Sequence, residues 1–153
     1  MTDLQLKGIM SKKSDHWATP KQLLNRIEYD IDICPLYSKK DNLLIDWNKE
    51  KIIYCNPPYS KIKLWIDKII LEVGNGAKVK LLIPARTDTK YFHKLIKSGC
   101  VKNIYFFEGR LKFNELLGAP FPSLLIECVR SNSFNCNFIK ASGNEILWIG
   151  NQN

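Results

Sequence analysis

Short apolar runs of strand length alternate with segments of helical spacing along most of the chain. The predicted strands cover residues 29–34, 51–55, 78–83, 101–107 and 123–129, and the predicted helices begin at Thr19-Pro20, Ile62 and Asp88. In the first helix, Thr19 is the predicted N-cap and Pro20 the first helical residue. Strands that alternate with helices form a parallel sheet with crossover helices. The predicted fold class is therefore α/β, with a mostly parallel, doubly wound sheet and a terminal hairpin within residues 138–149.

Parallel strands place the loops that follow them at one edge of the sheet, where ligands of open α/β sheets bind. The expected loops at that edge follow Cys34, Cys55, Ile83 and Phe107. The sequence therefore predicts that distant pieces of chain converge on one site.

The loop after Cys55 carries Asn56-Pro57-Pro58-Tyr59, hereafter the 56–59 motif. The side-chain oxygen of Asn56 and the carbonyl of Pro57 can both accept hydrogens from a planar amine, which localises its nitrogen lone pair. The two prolines favour extended backbone before them and so fix these acceptors, and Tyr59 offers a flat face for a base. A strand that merely ends in a proline turn is the alternative interpretation of Pro57-Pro58.

Length and composition bound the class of protein. With 153 residues, 45% of them hydrophobic and 25% charged, the chain is expected to form one soluble domain. It has no apolar run of about 20 residues that could span a membrane, and residues 1–14 lack the apolar core of a signal peptide. Five cysteines without a C-x-x-C pair, and two histidines, argue against a structural zinc site. The cysteines are expected to be reduced and mostly buried, as in a cytoplasmic protein.

The net charge of +8 is concentrated in one part of the chain. Residues 61–112 contain twelve Lys or Arg against four Asp or Glu, whereas residues 1–60 contain nine against eight and residues 113–153 two against three. A solvated lysine surface would explain a basic protein in general. Because the excess directly follows the 56–59 motif, it favours a polyanionic substrate, most simply nucleic acid.

Further motifs surround the 56–59 motif in a fixed order. They are His16-Trp17-x-Thr19-Pro20, Asp32-x-Cys34, Asp46-Trp47, the 56–59 motif with Ser60, Pro84-x-Arg86-Thr87-Asp88-Thr89, His93, and Gly109-Arg110-Leu111-x-Phe113. This ordered set, from about residue 16 to residue 130, resembles the phage-type DNA N-6-adenine methyltransferase family, the small Dam-like enzymes of phages and prophages.

The resemblance implies the class I S-adenosylmethionine-dependent methyltransferase fold, a seven-stranded mixed sheet with one antiparallel strand near its edge. It also implies S-adenosylmethionine as the methyl donor, the adenine amino group of double-stranded DNA as the acceptor, and no metal. The resemblance further implies that the protein acts in the cytoplasm of a bacterial host, in DNA modification or as part of a restriction-modification pair.

The residues expected to form the site fall into three groups. The catalytic group is Asn56, Pro57, Pro58 and Tyr59. The donor-binding group, which rests on the resemblance, is Trp17, Thr19, Pro20, Asp32, Cys34, Asp46 and Trp47. The DNA-binding group is Ser60, Lys61, Lys63, Arg86, Thr87, Arg110 and Phe113.

Some of these assignments have alternatives. Asp46-Trp47 also fits a surface turn with an anchoring tryptophan, and Phe113 fits a core residue as well as a second stacking face. His16 and His93 are more typical of structural hydrogen bonding than of catalysis. Cys34-Pro35-Leu36 stands where many donor-binding methyltransferases have a glycine-rich loop, so the acid at the donor ribose is Asp32, Asp41 or neither.

Two other functions fit parts of the same pattern. A protein glutamine-amide methyltransferase would also use the 56–59 motif, because an amide is planar. A nucleic-acid-binding relative that has lost catalysis would keep the fold and the basic segment. Without a segment long enough for a recognition domain, target specificity is expected from residues 36–50, residues 114–122 or a partner subunit.

Overall fold

The fold is a seven-stranded sheet, seen in a computed structural model that describes residues 18–34, 41–112, 121–142 and 145–147. The strands are β1 (Ile31–Asp32), β2 (Ile52–Cys55), β3 (Lys78–Pro84), β4 (Asn103–Glu108), β5 (Ser123–Cys128), β6 (Asn135–Ser142) and β7 (Glu145–Leu147). The helices are α1 (Lys21–Leu24), α2 (Ile62–Gly74) and α3 (Lys90–Lys97), with a 3-10 turn at Tyr59–Lys61 before α2. All five strands, all three helices and the terminal hairpin that the sequence predicts are present in the described residues.

The strand order across the sheet is β1-β2-β3-β5-β4-β6-β7. Strands β1, β2 and β3 are parallel, β5 runs antiparallel to both β3 and β4, and β6 is parallel to β4. The seven-stranded, mixed sheet of the class I methyltransferase fold is thus confirmed. The antiparallel strand β5 lies deeper in the sheet than expected, because the hairpin β6–β7 adds two strands beyond β4. Its last strand, β7, is a second antiparallel strand.

Side chains alternate between two faces of the sheet, and helices cover both, which confirms a doubly wound arrangement. In β2, Ile53 and Cys55 point into the larger core, which α2 and α3 cover through residues such as Ile66 and Leu95. Tyr54 points into the smaller core on the other face, beside Leu23 of α1. Strand β2 is therefore buried on both faces, and the rigid frame it provides ends at Asn56.

The start of α1 differs from the prediction. Pro20, with ψ of 134°, is the N-cap residue, and no side chain caps the helix. The hydroxyl of Thr19 is hydrogen-bonded to Asn56 and Tyr54 instead. The local sequence predicts Thr19 as the N-cap, but its hydroxyl contacts residues that are distant in the chain and does not cap the helix.

The end of α2 follows the sequence pattern. The N–H groups of Gly76 and Ala77 donate to the carbonyls of Val73 and Glu72, at 2.9 Å in both cases. Gly76 has a φ of 106°, in the left-handed region that favours glycine. This turn sends the chain back across the sheet into β3.

All five cysteines are free, and four of them (34, 55, 100 and 128) are buried, as the sequence predicts. Within the described ranges, no helix combines the length and apolar character needed to cross a membrane.

Candidate active site

The side chain of Asn56 lies just past the carboxyl end of β2 and is only 3% exposed. Its Nδ2 donates to Thr19 Oγ1 at 3.2 Å, so its Oδ1 lies on the opposite side of the amide from Thr19. Pro57 is buried and Pro58 is half-buried, with φ of −59° and ψ of 132° at Pro58. Pro58 is thus in an extended conformation at the end of the segment that leads into the 3-10 turn at Tyr59–Lys61.

Thr19 links the segment before α1 to the end of β2. Its Oγ1 is hydrogen-bonded to the hydroxyl of Tyr54 as well as to Asn56. Tyr54 is fully buried, and burial raises the pKa of its phenol well above the usual 10, so it remains protonated. Two hydroxyl groups and one amide therefore form a continuous hydrogen-bonded chain at the site.

Tyr59 has an aromatic neighbour that the sequence did not single out. Its ring meets the ring of Phe121 edge to face, with centroids 5.0 Å apart and an interplanar angle of 83°. The segment of Phe121 reaches the site because β5 starts beside the end of β3, where Ala85 N donates to Pro122 O at 2.7 Å. Burial raises the pKa of the Tyr59 phenol, which keeps this side chain neutral. No local sequence pattern connects positions 59 and 121, because only the strand order brings them together.

The end of β1 lies next to the end of β2. Ile33 N donates to Tyr54 O at 2.9 Å, and the half-buried Asp32 accepts a bond from Cys34 N at 3.0 Å through its Oδ1. Cys34 is buried, and its sulfur lies 3.5 Å from that of Cys55. Burial, followed by the neighbouring Cys34 thiol, raises the pKa of Cys55, so it stays a neutral thiol. Cys34 is thus buried at the end of β1, while Asp32 is half-buried and lies opposite Tyr54 of β2.

Trp47 is part of the core and only 3% exposed. Its backbone N–H donates to Glu72 Oε2 at 3.2 Å, and its indole Nε1 donates to Asn42 O at 2.9 Å. Asn42 in turn donates to Ile33 O at 2.7 Å, which ties residues 41–50 to the end of β1. These contacts favour the anchoring role that the sequence left open for Trp47. The neighbouring Asp46 is exposed.

The described members of the predicted DNA-binding group are all exposed. They are Ser60, Lys61, Lys63, Arg86, Thr87 and Arg110. They follow β2, β3 and β4, so they share the carboxyl edge of the sheet with the 56–59 motif. His93 contacts the carbonyl of Thr87 through Nε2 at 2.7 Å, which fits a structural role. His16, Trp17 and Phe113 lie outside the described residues.

Among the residues that the structure describes, no three or more His, Cys, Asp or Glu side chains are grouped so that they could hold a metal ion. The Asn56 amide and the hydroxyl groups of Thr19 and Tyr54 interact through hydrogen bonds.

Comparison with known proteins shows which family this chain belongs to. The sequence pattern of the family described as DNA N-6-adenine-methyltransferase (Dam) matches residues 8–138, which is most of the chain. The chain belongs to this family. The Dam family resemblance inferred from the ordered motifs is therefore confirmed.

Two individual proteins are similar to this Dam family member. The DNA N-6-adenine-methyltransferase of Escherichia phage T1 is 30% identical over 93 residues, which cover 51% of this chain and 39% of the phage protein. The crystal structure of a predicted O-methyltransferase from Agrobacterium tumefaciens matches with a TM-score of 0.35 at 12% identity, covering 63% of this chain and 46% of that one. The chain thus spans less than half the length of either protein.

Proposed function

We propose that this Dam family member transfers a methyl group from S-adenosylmethionine to the N6 amino group of adenine in DNA. The observation that carries the proposal is the buried Asn56 amide, held by Thr19 at the carboxyl end of β2 so that its oxygen is turned away from that hydroxyl. Family membership supports the same substrate and reaction.

In the proposed mechanism the 56–59 motif prepares the acceptor nitrogen. Asn56 Oδ1 and the Pro57 carbonyl accept the two hydrogens of the adenine amine and draw its nitrogen toward tetrahedral geometry. Tyr59, whose ring is braced by Phe121, stacks on the base. The contribution of the protein is therefore positioning and electrostatic stabilisation by groups that are already in place.

The donor half of the site is proposed at the end of β1. The residues there fit such a ligand, because a carboxylate at Asp32 suits ribose hydroxyls and lies one strand away from Asn56. S-adenosylmethionine would supply an electrophilic methyl group on a sulfonium; breaking its carbon–sulfur bond would release S-adenosylhomocysteine, and the methylated nitrogen would lose one proton to solvent. Asp32 and Pro20 would hold this donor, and Asp46 would contact it from the exposed part of residues 41–50. Burial of Trp47 supports a role for its side chain in fixing that segment.

The DNA half of the site is proposed along the basic carboxyl edge. The amino group of adenine is inaccessible to a protein pocket of this kind while the base is stacked in a duplex, so we propose that the base is flipped out at a cost of a few kcal/mol. Lys61, Lys63, Arg86 and Arg110 would hold phosphates on either side of the flipped nucleotide. All four are exposed, which supports contact with a large, charged ligand.

The test is methylation of plasmid DNA that lacks methylated adenine. The protein is incubated with isotope-labelled S-adenosylmethionine and either the plasmid or a protein extract, and the products are identified as modified nucleosides or modified amino acids by mass spectrometry. N6-methyladenine in the plasmid is the expected product. If the label appears only in glutamine of the protein extract, the protein is a protein methyltransferase and the proposal is wrong. If the protein binds DNA without the donor and labels neither substrate, it is an inactive relative.

A further inference from the structure

We propose that Thr19 is a positioning residue for Asn56, and that Tyr54 holds Thr19 in place for this task. This inference rests on the proposed function, in which Asn56 must present its oxygen to the acceptor amine. It assigns Thr19 to the acceptor half of the site, whereas the resemblance placed it near the donor. It also gives Tyr54, a core residue, an indirect role in the reaction.

The need for such a residue follows from the chemistry of the amide group. An asparagine amide has an oxygen that accepts and a nitrogen that donates, and the two ends are nearly equal in size. If Asn56 were turned by 180° about its last bond, its Nδ2 would face the amine of the substrate. Two donors would then oppose each other, and one of the two acceptors of the proposed mechanism would be lost. The orientation of this one amide therefore decides whether the site can activate an amine.

The contact of Asn56 with Thr19 favours the productive orientation. Nδ2 donates to Thr19 Oγ1 at 3.2 Å, which leaves Oδ1 on the other side of the amide. Asn56 is only 3% exposed, so water contributes little to fixing the orientation of its amide. Because a hydroxyl can accept from Nδ2 or donate to Oδ1, Thr19 selects this orientation only while its own hydrogen is committed to another partner.

Tyr54 fixes the position of the Thr19 hydroxyl. Its own hydroxyl is hydrogen-bonded to Thr19 Oγ1, and its ring is fully buried and lies against Tyr29 with centroids 5.4 Å apart. In the proposed arrangement Thr19 donates to Tyr54, so Thr19 Oγ1 has no hydrogen left for Asn56 Oδ1 and can only accept from Nδ2. Because burial raises the pKa of Tyr54, this bond stays between two neutral hydroxyls through the pH range of enzymatic assays.

The sequence placement of Tyr54 makes the arrangement possible. Tyr54 and Asn56 are two residues apart at the end of β2, and both side chains reach Thr19 Oγ1. Thr19 lies just before α1, which packs beside Tyr54 through Leu23. The segment before α1 is thereby placed within reach of both side chains.

The experiment uses three variants of the full chain: Thr19→Val, Thr19→Ser and Tyr54→Phe. The methylation rate is measured in a single turnover on plasmid DNA, with donor and DNA both saturating, and donor affinity is measured separately by calorimetry. Thr19→Val is expected to lower the rate about tenfold or more, since a misdirected acceptor acts on the chemical step. Thr19→Ser is expected to stay within about threefold of wild type, because it keeps the hydroxyl. The methylation rate of Tyr54→Phe is expected to lie between those of Thr19→Val and Thr19→Ser.

These measurements distinguish a positioning role of Thr19 from a role in donor binding or in stability. Positioning predicts that donor affinity and melting temperature change little in Thr19→Ser and Thr19→Val while the rate differs between them. Tyr105→Phe, a half-buried tyrosine of β4 away from this hydrogen-bonded chain, is the control for Tyr54→Phe. A Thr19→Val rate equal to wild type, or a loss of donor affinity with a normal rate at saturation, would overturn the inference while leaving the proposed function intact. Wild-type protein that methylates no DNA at all would overturn the proposed function itself.

Discussion

At the residue scale, the site combines a buried amide with two buried or half-buried tyrosines whose phenols stay neutral. Asn56 and Tyr59 belong to the motif that the sequence identifies, and Asn56 is buried at the end of β2. Tyr54 and Phe121 do not belong to it, yet each contacts a residue that the mechanism uses or that positions one. The motif therefore depends on neighbours that lie outside it.

Burial of Tyr54 makes the stability of the protein sensitive to alkaline pH. Its phenol ionises near the usual pKa of 10 in the unfolded chain but only at higher pH in the folded protein, where burial raises the pKa. Its contribution to the free energy of unfolding is therefore complete below pH 10 and is lost as the pH rises beyond that value. We expect wild type to lose more stability than Tyr54→Phe between about pH 8 and about pH 10.5, in urea unfolding at both values. Parallel losses in the two proteins would contradict this account.

The cysteines offer a second test at this scale. Four of the five thiols are buried, and burial raises the pKa of Cys55 and Cys128, which lowers the fraction of reactive thiolate. Cys136 on β6 is exposed. An aromatic disulfide reagent should therefore modify one thiol quickly in the native protein and all five after unfolding.

The matched control for the thiol count is Cys136→Ser, which should remove the fast phase and leave the slow phase unchanged. Fast modification of a second thiol in wild type would show that one of the four buried cysteines is more accessible than its burial indicates.

At the element scale, residues 41–50 are fixed to α2 by Glu72. This carboxylate is 2% exposed, pairs with Lys68 at 2.6 Å, and accepts the backbone N–H of Trp47. Glu72→Ala leaves the ammonium of Lys68, 11% exposed, and the buried N–H of Trp47 without their acceptor. We therefore expect a loss of about 3 kcal/mol in the free energy of unfolding. Urea unfolding measures the change.

The control for Glu72 is Asp67→Ala, which breaks the ion pair with Lys94 at the same 2.6 Å but on the surface, where the two side chains are 54% and 61% exposed. Solvent screens such a pair, and its loss should cost less than about 1 kcal/mol. Equal losses in the two variants would mean that residues 41–50 are not held through Glu72.

The sequence predicts the positions of the strands and helices well, but it predicts poorly which of them lie next to each other. Apolar runs and helical spacing locate the strands, α2 and α3, because both signals depend on residues close together in the chain. The insertion of β5 between β3 and β4 depends on pairing between distant segments, so no local pattern predicts the contact between Tyr59 and Phe121. Thr19 shows the same limit, because its local signal is that of a helix cap while its hydroxyl binds Asn56.

At the scale of the whole molecule, the basic residues after the 56–59 motif lie at two opposite edges of the sheet. Lys63 and Arg86 lie at the carboxyl edge near the motif, whereas Lys78 at the start of β3 and Lys97 at the end of α3 lie at the other edge. The charge excess in the sequence locates a basic segment, but only the fold divides it between a side that faces the proposed DNA and a side that does not.

This division predicts unequal effects of charge reversal. The double variants Lys63→Glu/Arg86→Glu and Lys78→Glu/Lys97→Glu change the net charge equally, and all four side chains are exposed. The first should weaken DNA binding strongly and reduce the slope of log affinity against log salt by about two, because each lost phosphate contact removes about one unit. The second should change the slope little. Fluorescence anisotropy of a labelled duplex across a salt series measures both, and equal slopes would argue against DNA contact at the carboxyl edge.

The most direct measurement of the central claim is the rate of N6-methyladenine formation in plasmid DNA by Asn56→Ala. With one of the two proposed acceptors removed, the single-turnover rate should fall roughly a hundredfold to a thousandfold. Donor and DNA affinities should remain near wild type, and Asn132→Ala, at an exposed loop position on the opposite edge, should react normally. A wild-type rate in Asn56→Ala would contradict the proposed role of the 56–59 motif in activating the adenine amine.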